Sequence, residues 1–200
     1  MTETLLLAVI LIPCLIVAIV FHEVAHGWVA LALGDPTAKE QRRLSLNPIR
    51  HVDPIGTLLV PGALALFGGP IFGWAKPVPV NPANLKNHRR DFLVIAAAGP
   101  ASNILMAIAA SQLLGLVPGG LGASEGVPGV LATFGFAMVQ LNLLLAVFNM
   151  LPIPPLDGGN VLAGVLPEAV AASYDRLVRP YGFVILIILM APGWLYRLIA

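Results

Sequence analysis

The chain has 200 residues, 58% of them hydrophobic and 10% charged, with a mean hydropathy of +0.89 and a formal net charge of +1. An average soluble domain carries about 25% charged residues, so the composition excludes an ordinary soluble enzyme and places the chain in a bilayer. The near-neutral charge gives no argument for nucleic acid, and the single cysteine, Cys14, excludes an intrachain disulfide and a cysteine-rich zinc site.

Residues 4 to about 33 read as the first membrane helix, stopped by Gly34-Asp35-Pro36. No Lys or Arg precedes Lys39, and the apolar run exceeds signal-peptide length, so this helix is expected to be retained. A polar loop over 35–53 carries Lys39, Arg42, Arg43 and Arg50. The apolar stretch 54–73 is interrupted by Pro54, Gly56, Pro61, Gly62, Gly68, Gly69 and Pro70, too many breakers for a comfortable spanning helix. A second basic loop holds Lys76, Lys86, Arg89 and Arg90, and its alternating prolines, Pro77, Pro79 and Pro82, favour extended backbone. Helices are then expected over about 91–116, rich in small residues that let membrane helices approach, and over about 129–149. A short segment to about 167 and a polar patch with Asp175, Arg176 and Arg179 lead to a last apolar stretch, roughly 180–199.

Charge placement decides the topology, because cytoplasmic loops carry the Lys and Arg excess. Both loops flanking 54–73 are basic, so that stretch is expected to enter the membrane and return. The loop at 117–128 lacks Lys and Arg and falls outside. The expected architecture is therefore an all-α, multi-pass helical bundle forming one integral-membrane domain over 1–200. It has about four spanning helices, or five if 54–73 crosses, and a re-entrant or extended segment near 54–82. The N-terminus is placed outside the cell membrane.

Within the first helix lies His22-Glu23-Val24-Ala25-His26. Residues four apart share a helix face, so His22 and His26 can present two imidazoles to one metal. Glu23, one residue round, can take a proton from the metal's water without occupying a coordination position. This is the H-E-x-x-H arrangement of a zinc peptidase, in which zinc lowers the pKa of its water to about 7. The bland alternative is a polar cluster joining two helices, but ionisable residues inside a membrane are costly and mark function by default. The motif falls in the cytoplasmic half of the bilayer in the topology above.

An open zinc site needs a third protein ligand. Most acidic residues and histidines outside the motif lie in loops, where solvated charge explains them; His51 is one such loop histidine, with a place at the entrance as its other reading. Asp157 differs, because it follows an apolar helix directly, behind Pro152, Pro154 and Pro155. Gly158-Gly159 permits a sharp turn after it, so an unwound segment can return the carboxylate to the bundle centre. A loop Asp that merely turns the chain is the alternative.

His22-Glu23-x-x-His26, Gly99-Pro100-x-x-Asn103 and Asn149-x-x-Pro152-x-Pro154-x-Leu156-Asp157-Gly158 together resemble the site-2 protease family of intramembrane metalloproteases, peptidase family M50. The likeness is to its small branch without PDZ or CBS domains and extends over most of the chain. The resemblance implies a three-helix core holding one zinc ion, with His22, His26 and Asp157 as ligands and Glu23 as catalytic base. It also implies transmembrane protein segments as substrates, cut within the bilayer. An additional leading helix and regulatory domains, found in many members, are expected to be missing.

On the chemistry, zinc-bound water is the nucleophile and Glu23 the general base that later protonates the leaving amine. Asn149, a carboxamide ending an apolar helix, is a candidate to bind the oxyanion or orient substrate. Asn103 is a weaker candidate for the same task, and for both the alternative is hydrogen bonding between helices. Extended pieces at 54–60 and 76–81 offer an edge on which an unwound substrate could pair as an added strand. Two rivals remain: a metal-handling protein, which would call for more than one ligand cluster, and an inactive scaffold, which would have no use for Glu23. A membrane zinc peptidase acting on soluble or lipidated peptides is the nearer enzymatic alternative. It is expected to use a Glu as third ligand.

Overall fold

A computed structural model describes residues 2–60, 63, 66, 75–123 and 125–190. Three helices among the described residues are long and apolar enough to cross a membrane: Ala8–Ala32, within α1 (Thr2–Ala32), α3 (His88–Gly115) and α4 (Gly126–Asn149). At about 1.5 Å per residue, helices of 24 to 28 residues exceed the roughly 30 Å hydrocarbon thickness. Pro13 and Pro100 lie inside α1 and α3 without ending them, as membrane helices permit when neighbours satisfy the backbone.

The packing has the inside-out character of a membrane bundle. α3 lies between α1 and α4, and α1 also touches α4. The buried faces carry small residues: Ala18 and Ala30 on α1, Ala107 and Ala110 on α3, Ala137 and Ala146 on α4. Large apolar side chains such as Leu105, Leu113, Leu144 and Val147 face outwards instead. Close backbone approach and dispersion, rather than exclusion of water, therefore hold these helices together.

The remainder is shorter. α2 (Thr37–Glu40) follows α1, and α5 (Asp157–Val165), α6 (Glu168–Leu177) and α7 (Gly182–Met190) complete the described chain. One expectation needs correction here. Residues 54–59 are not extended but form a π-helix, begun by Asp53, whose carboxylate accepts from the N–H groups of Ile55 and Gly56. Pro54 is its first residue, where a missing N–H costs nothing. The polar patch around Asp175 falls in a helix, α6. The fourth expected span begins in α7, while its continuation over 191–199 lies outside the described residues. So does most of the expected re-entrant stretch beyond residue 60.

Candidate metal centre

α1 buries His22 and His26 against α3. Gly99 makes that approach possible: a Cβ there would overlap His26 Nε2 and sit 2.6 Å from His22 Nε2. The third group arrives from the other side. After α4 the chain turns through residues 150–156, with a cis Pro154–Pro155 bond, and Asp157 opens α5. The adjoining glycines are helical and do not form a turn after the aspartate, contrary to expectation. A Cβ on Gly158 would collide with the Met150 and Leu151 carbonyl oxygens, and one on Gly159 would lie 2.9 Å from Pro154 N. Their absent side chains let α5 dock directly on the turn, and this docking aims Asp157 back at α1.

The three side chains converge. His22 Nε2 lies 3.0 Å from His26 Nε2 and 3.1 Å from Asp157 Oδ2, and His26 Nε2 lies 3.4 Å from the same oxygen. A tetrahedral ion with bonds of about 2.0–2.1 Å would set its ligand atoms about 3.3 Å apart. The other ring nitrogens decide what faces this point. His26 Nδ1 donates to the Ile95 carbonyl oxygen at 2.7 Å, and His22 Nδ1 donates to Asn103 Oδ1 at 2.6 Å. With both protons held at Nδ1, each neutral imidazole turns an Nε2 lone pair inwards. Asp157 Oδ2 is buried without a hydrogen-bond donor. Two nitrogen lone pairs and a carboxylate oxygen at this separation repel unless a cation lies among them, and an N,N,O donor set suits zinc. The residues fit the metal.

Glu23 faces the same cavity, a space of about 680 Å³ also lined by Phe148, Asn149, Asp157 and Phe183. Its Oε2 accepts from the Val78 N–H at 2.8 Å. Val78 belongs to a non-helical strap, residues 76–81, that lines the cavity through Pro77, Val78 and Val80. Four N–H groups are available in that strap, and three are engaged: Lys76 with the His51 carbonyl, Val78 with Glu23, and Asn81 with Asp35. Its donors are therefore largely taken, which leaves little open edge at 76–81 for an added strand.

Two residues that the sequence left among ordinary loop charges hold the strap. Arg43 is buried and donates to the carbonyls of Arg50, Lys76 and Pro77. Asp35, fully buried beyond the end of α1, accepts from Asn81 N–H, Asn84 Nδ2 and Thr37. Burial alone would raise the Asp35 pKa, but the donors from Thr37, Asn84 and Asn81 outweigh it and hold it below the ordinary carboxylate value.

The two asparagines part ways. Asn149 lines the cavity while its Nδ2 donates to the Leu145 carbonyl at 3.0 Å. Asn103 is wholly buried, with Oδ1 on His22 and Nδ2 on the Ala18 carbonyl and Asn142 Oδ1. It has no group left for an oxyanion, so its expected substrate contact gives way to support of His22. His51 is not at an entrance either: it is buried, with Nε2 donating to the Ser45 carbonyl at 2.8 Å. Asn142 was missed. A lone Asn in an apolar helix carries no pattern beyond the cost of burying it.

Residues 123–190 match the model of "Peptidase family M50". The chain is 41% identical over 180 residues to "Putative zinc metalloprotease YwhC" of Bacillus subtilis, covering 90% of this chain and 78% of that one. It is 30% identical over 188 residues to "Putative zinc metalloprotease Rip2" of Mycolicibacterium smegmatis, covering 91% and 66% respectively. A shorter match, 45% identical over 69 residues, is to "Putative zinc metalloprotease MJ0611" of Methanocaldococcus jannaschii, covering 34% of this chain and 31% of that one. No solved structure matches.

Proposed function

The chain belongs to peptidase family M50, the site-2 protease family, and from that premise we propose that it is a zinc metalloprotease cutting transmembrane segments of other proteins within the bilayer. The observation that carries the proposal is the meeting of His22, His26 and Asp157 around one point inside a bundle of membrane-length helices, with Glu23 in the same cavity. His22, His26 and Asp157 hold the zinc. When bound, the ion supplies Lewis acidity that acidifies a water molecule and polarises the scissile carbonyl. Glu23 accepts the proton of the attacking water and returns it to the leaving amine. Asn149 offers its remaining amide N–H to the developing oxyanion or to the substrate backbone. The apolar walls, among them Phe148 and Phe183, accept the side chains of a membrane segment and keep bulk water out. Lys39, Arg42 and Arg50, between α1 and the π-helix, support a cytoplasmic position for the metal end of α1 in the cell membrane.

The test compares membranes from cells making the wild-type protein with those making Glu23→Gln, by mass spectrometry of full-length and truncated single-span proteins. Uncut proteins accumulate in the variant and their fragments disappear. Matching profiles, with equal zinc in both proteins, would return the chain to the inactive-scaffold reading.

A further inference from the structure

The two imidazoles are held differently. His26 hangs on the Ile95 backbone carbonyl, which no side-chain substitution removes, whereas His22 hangs on a side chain, Asn103. A carboxamide has a donor end and an acceptor end, and exchanging them reverses every bond it makes. The orientation of Asn103 therefore decides which nitrogen of His22 carries the proton.

That orientation is traceable to backbone groups that can only accept. On α4, the Met138 carbonyl accepts from Asn142 Nδ2 at 2.8 Å, which leaves Asn142 Oδ1 facing α3. On α1, the Ala18 carbonyl stands 3.2 Å from Asn103 Nδ2. Asn142 Oδ1, 2.8 Å away, and the Ala18 carbonyl both claim the donor end of Asn103, so its oxygen is left for His22 Nδ1. Asn103 and Asn142 are fully buried, so water does not intervene to relax the choice. We propose that Asn142 is a positioning residue for the metal centre: by fixing the direction of Asn103, it selects the His22 tautomer whose Nε2 can bind a metal. The inference rests on the proposed reading of His22 as a ligand. In the opposite tautomer, the Nε2 proton would point at Asp157 Oδ2, 3.1 Å away, and a hydrogen bond would occupy the place of the ion.

An isosteric pair tests this in the full chain, purified in detergent. Thr133, on the same helix, donates its hydroxyl to the Gly129 carbonyl four residues back at 2.9 Å. A Thr at 142 can bond Met138 in that manner and keeps an oxygen able to accept on the α3 side, whereas a Val of the same shape carries no polar atom. Zinc affinity is measured by chelator competition, and the His22 tautomer by ¹⁵N NMR of the metal-stripped protein. Asn142→Val is expected to bind zinc about 10-fold more weakly and to gain the Nε2–H form of His22, while Asn142→Thr stays near wild type. Equal behaviour of the two variants, with His22 held as Nδ1–H in both, would overturn the relay. Absence of zinc binding by the wild-type protein would instead remove the ligand reading, and the NMR comparison would still decide the relay.

Discussion

The proposed ligands and the proposed base occupy one cavity but are held by different kinds of structure. His22 and His26 are fixed from inside the bundle, by Asn103 and a backbone carbonyl of α3, at a contact so close that only a glycine fits at position 99. Glu23 is fixed from outside, by one N–H of a loop strap that itself depends on Arg43 and Asp35. Interior hydrogen bonds across packed helices give way only when the bundle does, whereas a strap can shift while the helices stay in place. A metal site needs the first kind of support. A base that must meet a substrate, a water and a leaving amine in turn is better served by the second.

This contrast can be broken from either side. The largest effect is expected from Asp157→Ala, which removes the only carboxylate among the three proposed ligands and should abolish both zinc retention and cleavage of a reconstituted single-span substrate. Arg43→Met should act on the other half. Without the guanidinium the strap loosens, and a misplaced base lowers cleavage by about 10-fold to 10²-fold, with zinc affinity unchanged in a chelator titration. Loss of zinc from Arg43→Met would show that the two supports are one.

The smallest effect concerns Asp35 and pH. Its folded pKa lies below its unfolded value of about 3.9, so its contribution to stability is fully present above that value. It is lost as pH falls through the lower folded pKa. Removing hydrogen bonds to a buried charge costs about 1.5–3 kcal/mol. Asp35→Asn should therefore melt below wild type at neutral pH, and the gap should close in acid below the folded pKa. A gap independent of pH would mean that the carboxylate charge contributes nothing.

Much of this was legible in the sequence, and for identifiable reasons. The spacing of His22 and His26 places them on one face whatever the fold, and composition alone marks α1, α3 and α4 as membrane helices. Asp157 could be picked out because an acidic residue directly after an apolar helix is expensive without a task. What escaped depends on how helices are rotated against one another. Asn103 and Asn142 meet only because α3 and α4 pack with those faces together, and 39 residues separate them in sequence. Arg43 escaped because a basic residue near a membrane helix end is read for its charge and not for five N–H donors in a fork. Residues 54–59 misled because proline is as compatible with the first turn of a helix as with extended chain. The glycines after Asp157 misled in the same way, since freedom to turn and freedom to pack closely look alike in a sequence.

The central claim, that three ligands and one base are separately held, is tested most directly by zinc content. The wild-type protein, Asp157→Ala and Glu23→Gln would be purified side by side, with helicity checked, and the metal counted per chain by mass spectrometry. The account predicts about one zinc in the wild-type protein, almost none in Asp157→Ala and about one in Glu23→Gln, in line with single-ion sites built on three protein ligands. Zinc retained at the wild-type level by a folded Asp157→Ala protein would contradict it.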